Sequence, residues 1–243
     1  MPGNLKYGYA LVVAVMVGFA GFIGYSRSLN VLVNNSQTQN VKHMYSYLAL
    51  GDSYTIGEQV PSDDNFPHQA VKLLREHNMD VADPVIIATT GWTTDELMAS
   101  IREHNIRDTF SFVSLLIGVN NQYRGRDLDN YRREFTVLLN QSVAYAGNEP
   151  GHVFVLSIPD WGVTPFAIGR DRHKIAAEID AYNAVAKEIA LGRNCHFIEI
   201  TESTRHNVAL SGYLVGDELH PSGKEYSIWA QHLAGEIRKA TGK

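Results

Sequence analysis

The stretch Tyr47-Leu-Ala-Leu-Gly-Asp-Ser-Tyr-Thr-Ile-Gly-Glu58 joins an apolar run to a small polar turn. Residues 47–50 have the length and apolar character of a buried strand, and Gly51 ends that strand just before Asp52 and Ser53. In open α/β sheets, ligands bind outside the carboxyl ends of the strands. This turn therefore predicts a serine hydroxyl at the mouth of a crevice, although a loop with a helix-capping serine has the same pattern.

Downstream of this turn, short β-branched runs alternate with segments of helical spacing. The pattern predicts strands at 47–50, 84–89, 112–117, 153–158 and 196–200, and helices at 67–77, 95–104, 127–146, 171–191 and 222–240. Five buried strands that are each followed by a helix indicate a parallel sheet covered on both faces. The fold class predicted is α/β, a three-layer, doubly wound parallel five-stranded sheet.

The amino-terminal segment differs from the rest of the chain. Residues 7–25 contain no charged residue, and a helix of that length, at about 1.5 Å per residue, matches the hydrocarbon thickness of a bilayer. We interpret residues 1–25 as a membrane anchor or a cleaved signal peptide, residues 26–43 as a polar linker, and residues 44–243 as a single domain. This organisation predicts a membrane-anchored protein with an extracytoplasmic catalytic domain, or a secreted or periplasmic one after cleavage.

Composition and charge exclude several other classes of protein. The chain has 243 residues, of which 44% are hydrophobic and 19% charged, as in ordinary globular domains. A net charge of -5 and scattered Lys and Arg residues make nucleic acid a poor partner. Cys195 is the only cysteine, so the chain has no intrachain disulfide, and its apolar surroundings predict a buried structural thiol.

Three further polar segments lie where the predicted topology brings them to the same sheet edge as Ser53. Thr90-Gly91-Trp92-Thr93 follows the second strand, Gly118-Val119-Asn120-Asn121 follows the third, and residues 216–221 precede the last helix. Each of them alone is equally compatible with an ordinary turn. Together at one edge they meet the topological requirement for a single site.

The residue types in these segments suit nucleophilic catalysis. The Ser53 hydroxyl needs a base to remove its proton, and His220 is suitable because an unperturbed histidine titrates near neutral pH. Asp217 can accept from the other ring nitrogen and fix the tautomer. An oxyanion would need donors, which the N–H groups of Gly91 and Ser53 and the Asn120 amide could supply. Ser222 and Glu225 have the spacing of a capping box that would fix the helix after His220.

Four of these motifs, in this order across residues 44–243, resemble the blocks of the SGNH (GDSL-type) hydrolase family: Gly51-Asp52-Ser53-Tyr54, Gly91, Gly118-x-Asn120 and Asp217-x-x-His220. The resemblance implies a flavodoxin-like sheet of strand order 2-1-3-4-5 and ester hydrolysis through an acyl-enzyme, with no metal or other cofactor. It also implies a role for each matching residue: Ser53 as nucleophile and oxyanion donor, Gly91 and Asn120 as oxyanion donors, and Asp217 and His220 as the acid and base of the triad.

Two positions depart from the family pattern. Tyr54 stands where a leucine often follows the block serine, and Asn121 stands where an aspartate often follows the block asparagine. The second departure removes a negative charge near the proposed oxyanion donor Asn120. It leaves open which neighbouring groups hold the Asn120 side chain in place.

The expected activity is hydrolysis of short-chain acyl or acetyl esters, because no insertion of lid length interrupts the domain. A small-molecule, glycan or lipid ester is a compatible substrate, and a lysophospholipase or thioesterase of the same mechanism is the alternative. Trp161 and Phe166, in the loop of residues 159–169, either bind the substrate or pack beneath the loop. A metal-dependent phosphoesterase and a non-catalytic binding module fit less well, because the D-x-H motif of the former does not precede Gly51 and all triad positions are filled.

Overall fold

Five parallel strands form one sheet in the order β2-β1-β3-β4-β5 in the computed structural model, which describes residues 44–243. The strands are β1 (Tyr47–Asp52), β2 (Val85–Thr89), β3 (Phe112–Leu116), β4 (Val153–Leu156) and β5 (His196–Ile198). This arrangement confirms the predicted fold class and strand order. The predicted membrane segment and linker lie outside the described residues, and within residues 44–243 no helix has both the length and the apolar character to cross a membrane.

Eight α-helices are present among the described residues. They are α1 (Ser53–Ile56), α2 (Phe66–Glu76), α3 (Thr94–His104), α4 (Val119–Tyr123), α5 (Leu128–Tyr145), α6 (Arg172–Gly192), α7 (Thr201–Asn207) and α8 (Gly223–Thr241). The sequence pattern predicts α2, α3, α5, α6 and α8 to within one residue at each end. It does not predict α1, α4 and α7, because four to seven residues are too few for a helical period to show.

The helices cover both faces of the sheet. α2 packs against α8, and α5 packs against both α3 and α6. The chain moves from β1 outward to β2 and then crosses β1 to reach β3, so the right-handed crossover rule places the intervening helices on opposite faces. Strand β1 is therefore the point at which the winding direction reverses.

The central strands form the core, whereas the edge strands are only partly buried. Every residue of β1, β3 and β4 is buried, but Val85 and Thr89 of β2 are exposed and β5 buries only Ile198 fully. The prediction of five buried strands was wrong for these two, because an edge strand has a neighbour on one side only. Cys195 is buried as predicted, and burial raises the pKa of its thiol to about 11.

Candidate active site

Ser53 lies at the carboxyl end of β1, where the winding of the sheet reverses. It is the first residue of α1, and Asp52 caps this helix by accepting a hydrogen bond from the Tyr54 N–H at 3.0 Å. Strands β2 and β3 run parallel to β1 and lie on opposite sides of it, so the connections after β1 and β2 turn away from each other and a crevice opens above Ser53. The short strand-to-helix turn thus fixes the Ser53 hydroxyl at the topological switch point.

A chain of hydrogen bonds joins the three residues predicted to form a triad. Ser53 Oγ lies 2.9 Å from His220 Nε2, and His220 Nδ1 lies 2.7 Å from Asp217 Oδ2. Burial alone would raise the pKa of Asp217, but hydrogen bonds from the His220 ring and from the N–H groups of His220 and Leu219 lower it below its ordinary value. Asp217 is therefore ionised at neutral pH and accepts from Nδ1–H, which leaves Nε2 as an acceptor for the Ser53 hydroxyl.

The loop that carries Asp217 and His220 closes on itself. Asp217 Oδ1 accepts from the N–H groups of Leu219 and His220, both at 2.9 Å. The Val215 N–H donates to the His220 carbonyl at 3.0 Å. The backbone of Glu218 has a φ of 60°, in the left-handed region that residues other than glycine rarely adopt. These bonds fix the orientation of Asp217 relative to the imidazole ring.

Of the capping box predicted at the start of α8, the serine cap is present and the glutamate contact is absent. Ser222 does cap the helix, since its hydroxyl accepts from the Lys224 N–H at 3.3 Å. Glu225, however, is buried and accepts from Trp229 Nε1 at 2.9 Å and Asn207 Nδ2 at 3.1 Å. The Glu225 carboxylate therefore binds the Trp229 indole and Asn207 of α7, and not the backbone at the start of α8 as the sequence pattern predicted. The box geometry occurs instead at the start of α3, between Thr93 and Glu96.

One crevice of about 170 Å³ contains the predicted oxyanion donors together with the serine and histidine of the predicted triad. Ser53, Gly91, Asn120 and His220 all line it. Gly91 has a φ of 82°, in the left-handed region where glycine is favoured. Asn120 lies in α4, directly after β3, as the sequence pattern placed it.

Polar contacts tie the two loops that carry Gly91 and Asn120 to each other. Asn120 Nδ2 donates to the Trp92 carbonyl at 3.0 Å, and the Arg124 guanidinium donates to the Gly91 carbonyl at 2.6 Å. Arg124 also pairs with Glu96 at 3.1 Å. The position of each predicted donor therefore depends on the other loop.

Asn121, the departure from the family pattern, extends this connection. Its side chain is fully buried, accepts from the Thr94 N–H at 3.0 Å and donates to Thr94 Oγ1 at 2.6 Å. The Thr94 hydroxyl in turn donates to Glu134. A neutral amide thus satisfies both partners at this position.

Asp52 is a fully buried carboxyl group close to the predicted oxyanion donor. Burial raises its pKa to about 7, and hydrogen bonds from the Tyr54 N–H and the Asn120 amide counteract this rise only in part. The Asn120 bond is long, with Nδ2 at 3.4 Å from Asp52 Oδ2. Asp52 is consequently neutral over most of the acidic range.

The loop of residues 159–169 contributes aromatic side chains to the crevice. Trp161 and Phe166 both line it, together with Tyr123 of α4. Trp161 is buried and donates from Nε1 to Gln122 Oε1 at 2.7 Å, whereas Phe166 is 44% exposed. Trp161 therefore packs beneath the loop and faces the crevice at once, so the two alternatives left open by the sequence are not exclusive.

Three residues of the site were not singled out from the sequence as contributors to it. The Tyr54 ring packs against the His220 ring with centroids 5.0 Å apart, and Tyr123 and Leu219 line the crevice. Tyr123 follows Asn120 by three residues on α4, a spacing that would have placed both on one helix face had this short helix been predicted. Within residues 44–243, no three His, Cys, Asp or Glu side chains converge in a way that could hold a metal ion.

Comparisons with known proteins identify the family. Residues 49–228 match the family model described as GDSL-like Lipase/Acylhydrolase family. No curated protein sequence matches the chain significantly.

Several solved structures share the fold. The lipase/acylhydrolase from Enterococcus faecalis superposes with a TM-score of 0.64 at 19% identity, over 81% of this chain and 96% of its own. The acetylxylan esterase Axe2 from Geobacillus stearothermophilus gives 0.63 at 21% identity, over 79% and 94%. The psychrotrophic esterase EstA from Pseudoalteromonas sp. gives 0.61 at 15% identity, over 82% and 100%. Because the family match spans most of the sequence, this chain belongs to the GDSL-like lipase/acylhydrolase family, a family of hydrolases that act on esters.

Proposed function

We propose that the protein is a serine ester hydrolase that forms an acyl-enzyme on Ser53 and acts on short-chain acyl or acetyl esters. The observation that carries this proposal is the hydrogen-bonded chain from Ser53 Oγ through His220 to Asp217, with distances of 2.9 Å and 2.7 Å. Nucleophile and base lie within hydrogen-bond reach and a third group orients the base, which is the requirement for an activated serine.

In the first half of the reaction, Ser53 Oγ attacks the ester carbonyl while its proton passes to His220 Nε2. The ionised Asp217 stabilises the imidazolium that forms. His220 then donates this proton to the alcohol oxygen as the bond between that oxygen and the acyl carbon breaks. In the second half, His220 Nε2 takes a proton from a water molecule, whose oxygen attacks the acyl carbon. The bond between that carbon and Ser53 Oγ then breaks, His220 returns the proton to Oγ, and the acid is released.

The charge that develops on the carbonyl oxygen is assigned to the Ser53 and Gly91 N–H groups and the Asn120 amide. One amide hydrogen of Asn120 is committed to the Trp92 carbonyl at 3.0 Å. The other makes the 3.4 Å contact with Asp52, near the limit for a hydrogen bond, so it can turn toward an oxyanion at small cost. Donors held in place before the reaction are worth more than donors that must reorganise.

The size of the crevice supports a short acyl group. Its volume of about 170 Å³ is below the roughly 300–1,000 Å³ of typical small-molecule pockets. Trp161, Phe166 and Leu219 provide apolar walls around it. A lysophospholipase or thioesterase of the same mechanism would have to place a longer chain outside these walls. The same fold occurs in an acetylxylan esterase, which supports acetyl esters as a substrate class.

We also propose that residues 7–25 hold the protein at a membrane with the catalytic domain on the extracytoplasmic side, or direct it to the periplasm or the exterior if the segment is cleaved. The support is the uncharged run itself, which has the length of a bilayer-spanning helix.

Hydrolysis of p-nitrophenyl acetate, with and without EDTA, tests the proposed reaction. We expect activity that EDTA does not change. Ser53→Ala and His220→Ala should each lower kcat by roughly 10⁴-fold or more, and the double variant should cost little beyond either one, because triad members act as a unit. EstA has been crystallised with monoethylphosphonate as an inhibitor, so a fluorophosphonate probe is suitable and should label Ser53 alone. Most of the activity surviving in either single variant would overturn the assignment.

A further inference from the structure

A second cavity, of about 20 Å³, lies behind the crevice. Its lining includes Val208 after α7 and Pro221, which directly follows His220. We call it the rear cavity. Tyr54, Trp161 and Leu219 line both the crevice and the rear cavity, and these three side chains are the dividing wall.

The rear cavity suits hydrocarbon, because the buried carboxylates in its lining are already paired. Asp160 accepts from the Gly162 N–H at 2.8 Å and from Arg205 Nε at 2.9 Å. Glu225 accepts from the Trp229 indole and the Asn207 amide. Since these partners come from the protein itself, the carboxylates need no water or ligand to satisfy them.

Two members of the dividing wall are anchored, and the third is not. Trp161 is held by its 2.7 Å hydrogen bond to Gln122. The Tyr54 ring lies between His220 and Trp229, with centroid distances of 5.0 Å and 6.3 Å. Leu219 is a partly buried aliphatic side chain whose only polar contacts are made by its backbone. Its isobutyl group can be removed without breaking a hydrogen bond or a ring contact, unlike the side chains of Trp161 and Tyr54.

We propose that Leu219 sets the acyl-chain length of the enzyme by closing the crevice off from the rear cavity, a latent binding site for the end of an acyl chain. This proposal rests on the proposed ester hydrolysis at Ser53. Leu219 lines the same crevice as Ser53 and His220, so its side chain borders the space in which the reacting carbonyl would lie.

The volumes predict the size of the effect. At about 20 Å³, the rear cavity alone holds little more than one water-sized group. Leu219→Ala removes an isopropyl group from the wall and joins the two spaces, which gives room for roughly four carbon atoms. A butyryl or hexanoyl chain would then extend inward rather than toward solvent.

The experiment measures kcat/KM for p-nitrophenyl acetate, butyrate and hexanoate with the full-length protein and its variants. We expect Leu219→Ala to raise the hexanoate-to-acetate ratio by about tenfold or more, the scale that one or two methylenes have in an apolar pocket. Val208→Phe, which fills the rear cavity from its far side, should not raise that ratio. The double variant Leu219→Ala/Val208→Phe should return the ratio to within about twofold of wild type.

Each other outcome counts against the proposal. An unchanged ratio in Leu219→Ala would overturn it, and so would a raised ratio that Val208→Phe does not reverse, because the added chain would then lie outside the rear cavity. If Leu219→Ala does not fold, Leu219→Val makes a smaller opening and should still raise the butyrate-to-acetate ratio about threefold; no change would overturn the proposal. Ser53→Ala in the same assay separates the two ideas, since its inactivity would leave ester hydrolysis at Ser53 standing whatever the ratios show.

Discussion

Asp52 should make the stability of the protein depend on pH in an unusual direction. Its carboxyl group is fully buried at the turn before Ser53, and burial raises its pKa from the ordinary 3.8 to about 7. Between these two values the folded protein keeps a proton that the unfolded chain has released. The free energy of unfolding therefore falls as pH rises through this window.

The magnitude follows from the size of the pKa shift. Each unit corresponds to roughly 1.4 kcal/mol, so a shift of about three units amounts to about 4 kcal/mol. This contribution is present in full below pH 4 and is lost by about pH 7. Asp52→Asn cannot ionise, and asparagine still caps a helix. Any clash between the new amide and that of Asn120 shifts its stability equally at every pH.

Urea unfolding of the wild type and Asp52→Asn between pH 4 and pH 8 measures the effect. The variant should gain about 4 kcal/mol relative to the wild type across this range. Asp95→Asn is the matched control. Burial alone would raise the pKa of Asp95, but hydrogen bonds from Thr93 and Arg126 lower it below its ordinary value. Its contribution is therefore present above the unfolded pKa and is lost only as pH falls through the lower folded value, so the difference between wild type and Asp95→Asn should stay constant above about pH 5. Parallel pH curves for wild type and Asp52→Asn would refute the argument from burial.

Three further predictions concern the oxyanion, the β1 turn and the amino terminus. Asn120→Ala should lower kcat about a hundredfold, roughly 3 kcal/mol, with little change in KM, whereas a change in KM alone would limit Asn120 to substrate binding. Gly51→Ala should lower the free energy of unfolding, measured in urea, by about 3 kcal/mol or more, because a Cβ there would lie 2.0 Å from Thr55 Oγ1 and 2.5 Å from the Leu116 carbonyl oxygen. In the control Gly151→Ala the new Cβ would have no neighbouring atom within 4 Å, so the free energy of unfolding should change by about 0.5 kcal/mol or less. Full-length protein should sediment with membranes and resist carbonate extraction, and release of a processed form beginning near Gly21 or Arg27 would show a cleaved signal instead.

The sequence was most informative where one local rule fixes the structure. Apolar runs and helical periods define the five strands and the five long helices, and the parallel sheet brings the ends of β1, β2 and β3 to one edge. From that, the proximity of Ser53, Gly91 and Asn120 follows by topology alone. His220 belongs to the same group because its loop leads into α8, whose start lies beside that edge.

What the sequence did not predict depends on contacts between distant segments. Asp52 and Asn120 are adjacent only because β1 and β3 pair, and no local pattern contains that pairing. Glu225 has the spacing of a capping residue, but Trp229 and Asn207 offer it buried donors that outweigh the exposed helix end. Leu219 reads as a spacer between Asp217 and His220, and its place between two cavities appears only when the loops are folded together.

Asn121 shows how a departure from a family pattern can keep its structural purpose. An aspartate at this position would accept from both the N–H and the hydroxyl of Thr94, and that hydroxyl would then have no hydrogen left for Glu134. The amide of Asn121 instead donates to Thr94 Oγ1, so the hydroxyl hydrogen stays with Glu134 and each of the three side chains has a hydrogen-bond partner. Support for Asn120 therefore comes from the contacts between the segments that carry Gly91 and Asn120, through Thr94, Trp92 and Arg124, and does not require a negative charge at position 121.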